Sequence, residues 1–502
     1  MQAYEYPPII HDDHIRLLDL DAGFGKSKLS GRLRTVSLSR TLTYEALSYT
    51  WGTPVFSKSI QCSENSHIAI TSNLGAALRQ FRHRFRKRTM WIDAICVDQQ
   101  NLLERNHQVR HMRKIYEQAE RVLIWLGEDS GIARLAFRGL NELSKIVLAT
   151  EEINDLEKSH RSIKKFRSSR RGLAFASLLK CSWFRRIWVI QEVTCARQAT
   201  LCCGEVAMDW DGFIKIARRL FDKGLDIYFV MQLREILHHL AALYGHRHQW
   251  KQRKGINFLE LLDTYRVYDA SDARDKVFAL AGLAIQWPNT TNAPDYSKDV
   301  TDVYQDWALD AIITNHNVDV LTNCSLPDRS QERLPVPTWT PDWSRPLGLN
   351  PSSIVAPGAY SASKKTDSRG SLGKDKRILL LDGLLLNQIE LLGQHWYQRS
   401  GLKGESRAMK TLELLTDCEI LFKGSKLYAE QDKQSFLRTL TSDVDRFKHR
   451  TKDQDLITAY EAFCTKCKEV SLRSSKSALV QGHDHERPAI VKHNRTLTRN
   501  SR

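Results

Sequence analysis

The sequence predicts an α/β protein, a parallel sheet flanked by helices, and three observations carry that prediction. Residues 90–95 and 122–126 are short apolar runs, the first interrupted by Asp93 and the second closed by Gly127. Between them Leu102, Val109, Met112, Tyr116 and Ala119 recur at steps of three, four and seven, which is one helical face. A strand–helix–strand unit of this kind crosses over right-handedly and leaves its strands parallel. In open parallel sheets ligands sit outside the carboxyl ends of the strands, and the polar stretch from Asp93 to Gln100 lies at such an end.

The remaining elements follow in chain order. Residues 15–20 (IRLLDL) read as a first strand and residues 44–49 (YEALSY) as a second, ended by Thr50-Trp51-Gly52. Residues 60–70 hold two short strands around SENSH, a hairpin. Thr71 or Ser72 caps a helix over about 74–85. Residues 130–180 are helical in pattern and highly charged, an insertion in the strand–helix series. Ser182 caps the next helix, SWFRRIWVIQEVTCA, whose Trp183, Phe184, Ile187, Trp188 and Ile190 make a wide apolar surface. Residues 199–203 and 206–208 form a hairpin around Gly204-Glu205, and Asp209 or Asp211 opens another helix. Further helices cover 257–284 and 297–314, while LPVPTWTPDW (334–343) is a proline-punctuated extended strut.

This pattern divides the chain into an N-terminal strand segment (1–43), an α/β domain (44–204, with the charged insertion at about 130–180) and a helical region (205–350). A Ser-, Lys- and Gly-rich linker (351–377) leads to a C-terminal region (378–470), strand-like to 392 and helical and polar from 405. The tail (471–502) carries seven Lys/Arg against two acids with little periodicity and reads as disordered. No internal repeat is visible.

Bulk composition narrows the function classes. A hydrophobic content of 42% over 502 residues supports a real core and excludes wholesale disorder. The net charge of +17 concentrates in two runs, RQFRHRFRKR (79–88) and RSIKKFRSSRR (161–171). Neither has a nucleic-acid motif around it, so solvated surface is the favoured reading and nucleic-acid binding a weak alternative. The ten cysteines follow no disulfide framework, the N-terminus has no signal-peptide pattern, and no run of about 18 apolar residues spans a membrane. A reducing, cytoplasmic setting fits. His238, His239, His246 and His248 match no zinc spacing, and no metal site or cofactor is expected. The glycine-rich loops of Rossmann and P-loop nucleotide sites are missing.

Three blocks closely resemble the fungal HET (heterokaryon incompatibility) domain, in its order and spacing: YEALSYTWG (44–52), WIDAICVDQQNLLERNHQVRHMRKIYEQAERVLIWLG (91–127) and WFRRIWVIQEV (183–193). Its usual companions follow as LCCG, DARDKVFALAGL (272–283), PDYSKDV (294–300) and PTWTPDW (337–343). The chain departs from the family at Cys96-Val97-Asp98-Gln99, where an asparagine is common in place of Asp98 and a donor amide becomes a carboxylate. The resemblance implies a role in self/non-self recognition, with death of fused, genetically unlike cells. The HET domain is in turn similar in pattern to the TIR (Toll/interleukin-1 receptor) fold, which implies a flavodoxin-like sheet. Many TIR domains cleave NAD with a glutamate in a Trp-Cys-x-x-Glu helix motif, and Trp188-Val189-Ile190-Gln191-Glu192 has that spacing with valine for cysteine.

The chemistry fits these residue types. Breaking an N-glycosidic bond to a pyridinium passes through an oxocarbenium-like sugar, and a nearby carboxylate stabilises it; nicotinamide leaves neutral and needs no acid. Glu192 is the candidate catalytic carboxylate, with Trp188 beside it at i, i+4. Candidate binding residues are Ser48, Trp51, Gly52, Asp93, Asp98, Gln99 and Trp188, with NAD+ as the substrate. Competing structural roles are an ion pair of Glu192 with Arg185 or Arg186, a turn cap for Asp93, core packing for Trp51 and Trp188, and ion pairs for Glu104 and Arg105. The alternative function is a non-enzymatic signalling module that self-associates or binds a protein partner on activation, with the WFRRIWVI helix and the basic patches as its interface.

Overall fold

The computed structural model describes residues 2–129, 131–148, 156–284, 292–314, 316, 318–324, 334–345 and 370–381, all within one compact unit. The strands are β1 (Gln2–Ala3), β2 (His14–Leu20), β3 (Gly31–Ser37), β4 (Glu45–Tyr49), β5 (Lys58–Gln61), β6 (Ser66–Ile70), β7 (Arg88–Trp91), β8 (Arg121–Trp125), β9 (Ala199–Cys203), β10 (Val206–Asp209), β11 (Gly370–Leu372) and β12 (Leu379–Leu381). The helices are α1 (Ser72–Phe81), α2 (Asp93–Cys96), α3 (Leu102–Gln118), α4 (Ala133–Leu148), α5 (Leu156–Ser168), α6 (Arg170–Leu179), α7 (Trp188–Thr194), α8 (Trp210–Asp222), α9 (Met231–Lys251), α10 (Phe258–Thr264), α11 (Asp275–Ala281) and α12 (Val300–Ile313).

The main sheet has seven strands in the order β10-β9-β8-β4-β7-β2-β3. Its centre is parallel: β4 pairs with both β7 and β8, and β8 with β9. Both edges are antiparallel, through β2 and β3 on one side and β10 on the other. The protein is therefore mixed α/β. The sequence expectation of parallel strands around the 102–118 helix holds, but the crossover skips a strand, and β4 sits between β7 and β8. That position explains YEALSY: Ala46, Leu47, Ser48 and Tyr49 are all buried, as a central parallel strand covered on both faces requires. The 60–70 hairpin forms as β5 and β6, but belongs to a separate three-stranded sheet with β1.

Local chemistry sets the helix starts. Thr71 caps α1, accepting from Leu74 N, and Asn101 caps α3, accepting from Glu104 N. Asp209 caps α8 through Gly212 N at 2.7 Å. Tyr44 and Tyr116 staple α3 to β4 by hydroxyl bonds to Ile115 O and Leu47 O at 2.5 and 3.0 Å. Tyr116 also meets Trp91 edge-on at 5.5 Å.

Three expectations need correction. The helix expected from Ser182 is broken. Ser182–Arg185 is a single 3-10 turn, and α7 starts only at Trp188. The cause is a strand-like bridge to Asp269: Asp269 N donates to Arg185 O at 2.5 Å and Ile187 N to Asp269 O at 3.0 Å. These bonds draw the backbone out of helix. Trp183, Phe184 and Ile187 are then core residues and not an exposed apolar face. The strand expected over 90–95 ends at Trp91, because α2 begins at Asp93. The linker expected over 351–377 contains strand β11, paired with β12. The expectations for 382–502, including the C-terminal helices and the basic tail, lie outside the described residues.

Candidate functional site

A cleft of about 780 Å³ opens at the carboxyl ends of β4 and β7. Thr50, Trp51 and Gly52 follow β4, Asp93 and Gln99 follow β7, and Trp188 and Glu192 come from α7. Asp272 and Asp275, before and at the start of α11, and Tyr296 close the opposite wall, with Arg105 of α3 and Arg186 between.

Glu192 is buried, with 3% of its surface exposed, yet it still reaches the cleft wall. Ser48 Oγ donates to Glu192 Oε2, and Trp183 Nε1 donates to Ser48 Oγ at 2.8 Å. A fixed relay thus orients the carboxylate from behind. Burial pushes the Glu192 pKa up to about 7; Arg186 and the Ser48 bond oppose the rise, and Asp93 adds to it. The suggested pair with Arg185 does not form, since Arg185 binds Asp269 at 3.1 Å. Arg186 instead donates to Tyr49 O, and its charge partly offsets Glu192 burial.

Asp93 faces the cleft part-exposed. Trp51 Nε1 donates to Oδ2 at 2.9 Å, and Ala94 N donates to Oδ1 at 2.7 Å. It therefore binds an N–H in the first turn of α2 and is also a cleft carboxylate, while α2 has Ile92 at its N-cap and no side-chain cap. Burial raises its pKa above the ordinary value, against Arg186 and the donors Trp51 and Tyr49. Asp275 is a third such group. Tyr296 OH donates to it at 2.6 Å and Trp188 also donates a side-chain bond, yet burial lifts it to about 6. Two cations balance these acids. Arg105 lies over the Tyr296 ring at 4.5 Å, and neither it nor Arg186 has an ion-pair partner among the described residues. The cleft therefore offers proton-accepting carboxylates, indole faces and guanidinium groups open to an anion.

Of the residues picked from sequence, Trp51, Gly52, Asp93, Gln99, Trp188 and Glu192 line the cleft. Gly52 has φ of +74°, the left-handed region that glycine adopts readily, so the turn after β4 needs it. Gln99 Nε2 donates to Asp93 O at 2.9 Å. Ser48 and Asp98 do not line it. Ser48 stands behind Glu192, fully buried. Asp98 accepts from Gln100 N at 3.1 Å within its own turn, and its N–H donates to Glu104 Oε1 at 2.7 Å. Glu104 is held in turn by buried Arg16 at 2.5 and 3.0 Å, so the ion pair expected of it forms, but as a buried helix-to-strand pair and not an exposed or interhelical one.

Sequence reasoning missed Arg105, Asp272, Asp275 and Tyr296 as site residues. The signal for Asp272, Asp275 and Tyr296 was present in DARDK and PDYSKD, but nothing local tells that these segments return to the sheet. It also missed Arg247. This side chain, 1% exposed, donates to Val193 O, Thr194 O and Ala196 O at 2.5, 3.3 and 2.7 Å while pairing with Asp211 at 2.5 Å. It satisfies the carbonyls at the end of α7 and so fixes the helix that carries Glu192.

Residues 44–192 match the family model described as heterokaryon incompatibility protein (HET). The chain is 28% identical over 396 residues to heterokaryon incompatibility protein 6, OR allele, of Neurospora crassa, a match covering 66% of this chain and 58% of that protein. No solved structure matches the chain. Across residues 44–192 this chain is therefore similar to the HET domain of heterokaryon incompatibility proteins.

Proposed function

We propose that this heterokaryon incompatibility-type protein is a cell-death effector whose cleft hydrolyses NAD+ at the nicotinamide bond, in the manner of TIR domains. The observation that carries the reading is Glu192: a buried carboxylate with a pKa of about 7, aimed from a clamped helix into a cleft at the carboxyl ends of parallel strands. The parallel strands support the TIR comparison. Counted in chain order, β4, β7, β8 and β9 lie side by side as second, first, third, fourth, the flavodoxin-like order.

In the reaction the bond from ribose C1′ to the pyridinium nitrogen breaks, and nicotinamide leaves neutral with the bonding pair. Ionised Glu192 stabilises the positive ribose. Water adds at C1′ and gives its proton to Glu192, leaving ADP-ribose. Trp188 and Trp51 exclude water around the ring, Asp93 binds ribose hydroxyls, and Arg105 and Arg186 meet the phosphates.

The signalling-module alternative loses most of the apolar part of its proposed interface, because Trp183, Phe184 and Ile187 are buried, and keeps the basic patches. The nucleic-acid alternative loses part of its first basic run. Arg82 is spent on carbonyls of residues 25, 27 and 28, and Arg88 on Glu45 and Phe81 O. The test is nicotinamide release from NAD+ by purified full-length protein, beside cellular NAD after induced expression. Loss of NAD with wild type and not with Glu192→Gln is expected. Death of cells with NAD unchanged, equally with both proteins, would remove the enzyme reading in favour of signalling.

A further inference from the structure

His107 and His111 stand one turn apart on α3, both part-buried, and neither lines the cleft. Asp12, from the bend before β2, reaches over them. Its Oδ1 lies 3.0 Å from His107 Nε2 and 4.0 Å from His111 Nε2, and the three ligand atoms fall within 4.8 Å of one another. We propose that Asp12, His107 and His111 form a zinc-type divalent metal site.

Geometry and donor type both support this. Ligand atoms about 2.0–2.2 Å from a tetrahedral zinc lie roughly 3.4 Å apart, and the two observed separations bracket that value. Two imidazoles and one carboxylate suit zinc and its transition-metal neighbours, whereas calcium and magnesium ask for oxygen. A helical i, i+4 spacing brings both rings to one side.

A plain ion pair explains less. Asp12 is 88% exposed, a weak partner by itself. His111 Nε2 is buried with no hydrogen-bond partner, which a metal would supply. Three protein ligands leave a fourth position for water.

The experiment uses full-length protein stripped with a chelator, titrated with Zn²⁺ by calorimetry and with Co²⁺ by visible absorption. Cys418, Cys464 and Cys467 provide a possible thiolate background, which is common to every variant. Wild type is expected to take up one more ion than His107→Asn/His111→Asn, with nitrogen–oxygen cobalt bands that the variant lacks. Asp12→Asn, at an exposed position that cannot disturb folding, is expected to weaken that ion at least about tenfold, no less than loss of an outer-shell partner would. Equal stoichiometry and affinity in wild type and both variants would overturn the site. So would absence of saturable binding to folded wild type.

Discussion

Glu192→Gln is the substitution that separates chemistry from scaffold most cleanly. Glutamine keeps the shape and can still accept from Ser48 Oγ, so the relay through Trp183 survives. What disappears is the titration. The Glu192 pKa is about 7 against an ordinary 4.5, so the folded protein holds this proton more tightly than the unfolded chain. The unfolded carboxyl ionises as pH rises past 4.5 while the folded one stays protonated. Wild-type stability therefore falls across the window from 4.5 to about 7, then levels off. At ~1.4 kcal/mol per pH unit, the 2.5-unit gap is worth about 3 kcal/mol. The side chain is almost fully buried, so solvent screening does not reduce this much. Glu192→Gln should thus match wild type near pH 5 and exceed it at pH 8 by roughly 3–4 °C in Tm, since the entropy of unfolding is large for a unit of this size. Nicotinamide release should drop about 100-fold or more, since the variant has no charge to set against the ribose cation and no base for water. Thermal unfolding followed by near-ultraviolet circular dichroism from pH 5 to 8.5 checks the first part. Parallel Tm curves for the two proteins would show that burial does not hold this carboxyl near 7, and the case for Glu192 as a poised base would go with it.

Other perturbations test the supports of the same group. Ser48→Ala removes a bond that favours ionised Glu192 and leaves buried Trp183 Nε1 without an acceptor; the activity–pH profile should move to higher pH, and stability should drop by about 1–3 kcal/mol in denaturant titration. Tyr296→Phe takes the hydroxyl from Asp275, so any rate limb set by that acid should move above about pH 6 with little change in fold, as a pH–rate profile would show. Arg247→Met takes the donor from three carbonyls beyond Glu192 while Asp211 keeps Lys251 at 2.8 Å, and should cost about 1–3 kcal/mol of stability by urea unfolding, with faster hydrogen exchange in α7.

The sequence carried the centre of the sheet well and its edges poorly, for a physical reason. β4 and β8 are buried on both faces, so they read as unbroken apolar runs between turn residues. β3, at the sheet edge, is mostly half-exposed and carries Arg32 and Arg34, so its alternation is diluted and no strand was expected there. α9 was likewise not singled out, its histidines drawing notice for metal spacing instead. The break at Arg186 was illegible because it is imposed by Asp269, more than eighty residues later. The site shows the same division. Trp51, Gly52, Asp93 and Glu192 were legible because each sits just past a strand or on a strongly patterned helix. Ser48 was picked for the wrong side of that helix, since only packing tells whether a buried hydroxyl faces a ligand or the carboxylate behind it.

These long-range contacts also bear on what the HET domain needs in order to act. The family match ends at Glu192 itself, in the middle of α7. Yet α7 ends on carbonyls held by Arg247, begins after a bridge to Asp269, and presents a tryptophan bonded to Asp275. The opposite wall of the cleft, with Asp272, Asp275 and Tyr296, also comes from beyond that span. On the other side, buried Arg16 of β2 fixes Glu104 and with it the turn at Asp98. Each end of the matched span is thus completed by side chains outside it. A buried arginine among carbonyls and a single carboxylate cannot be traded for water without loss, so residues 44–192 alone lack both the second cleft wall and the anchor of the helix bearing Glu192. The companion motifs after residue 192 are, in this chain, the other half of one site.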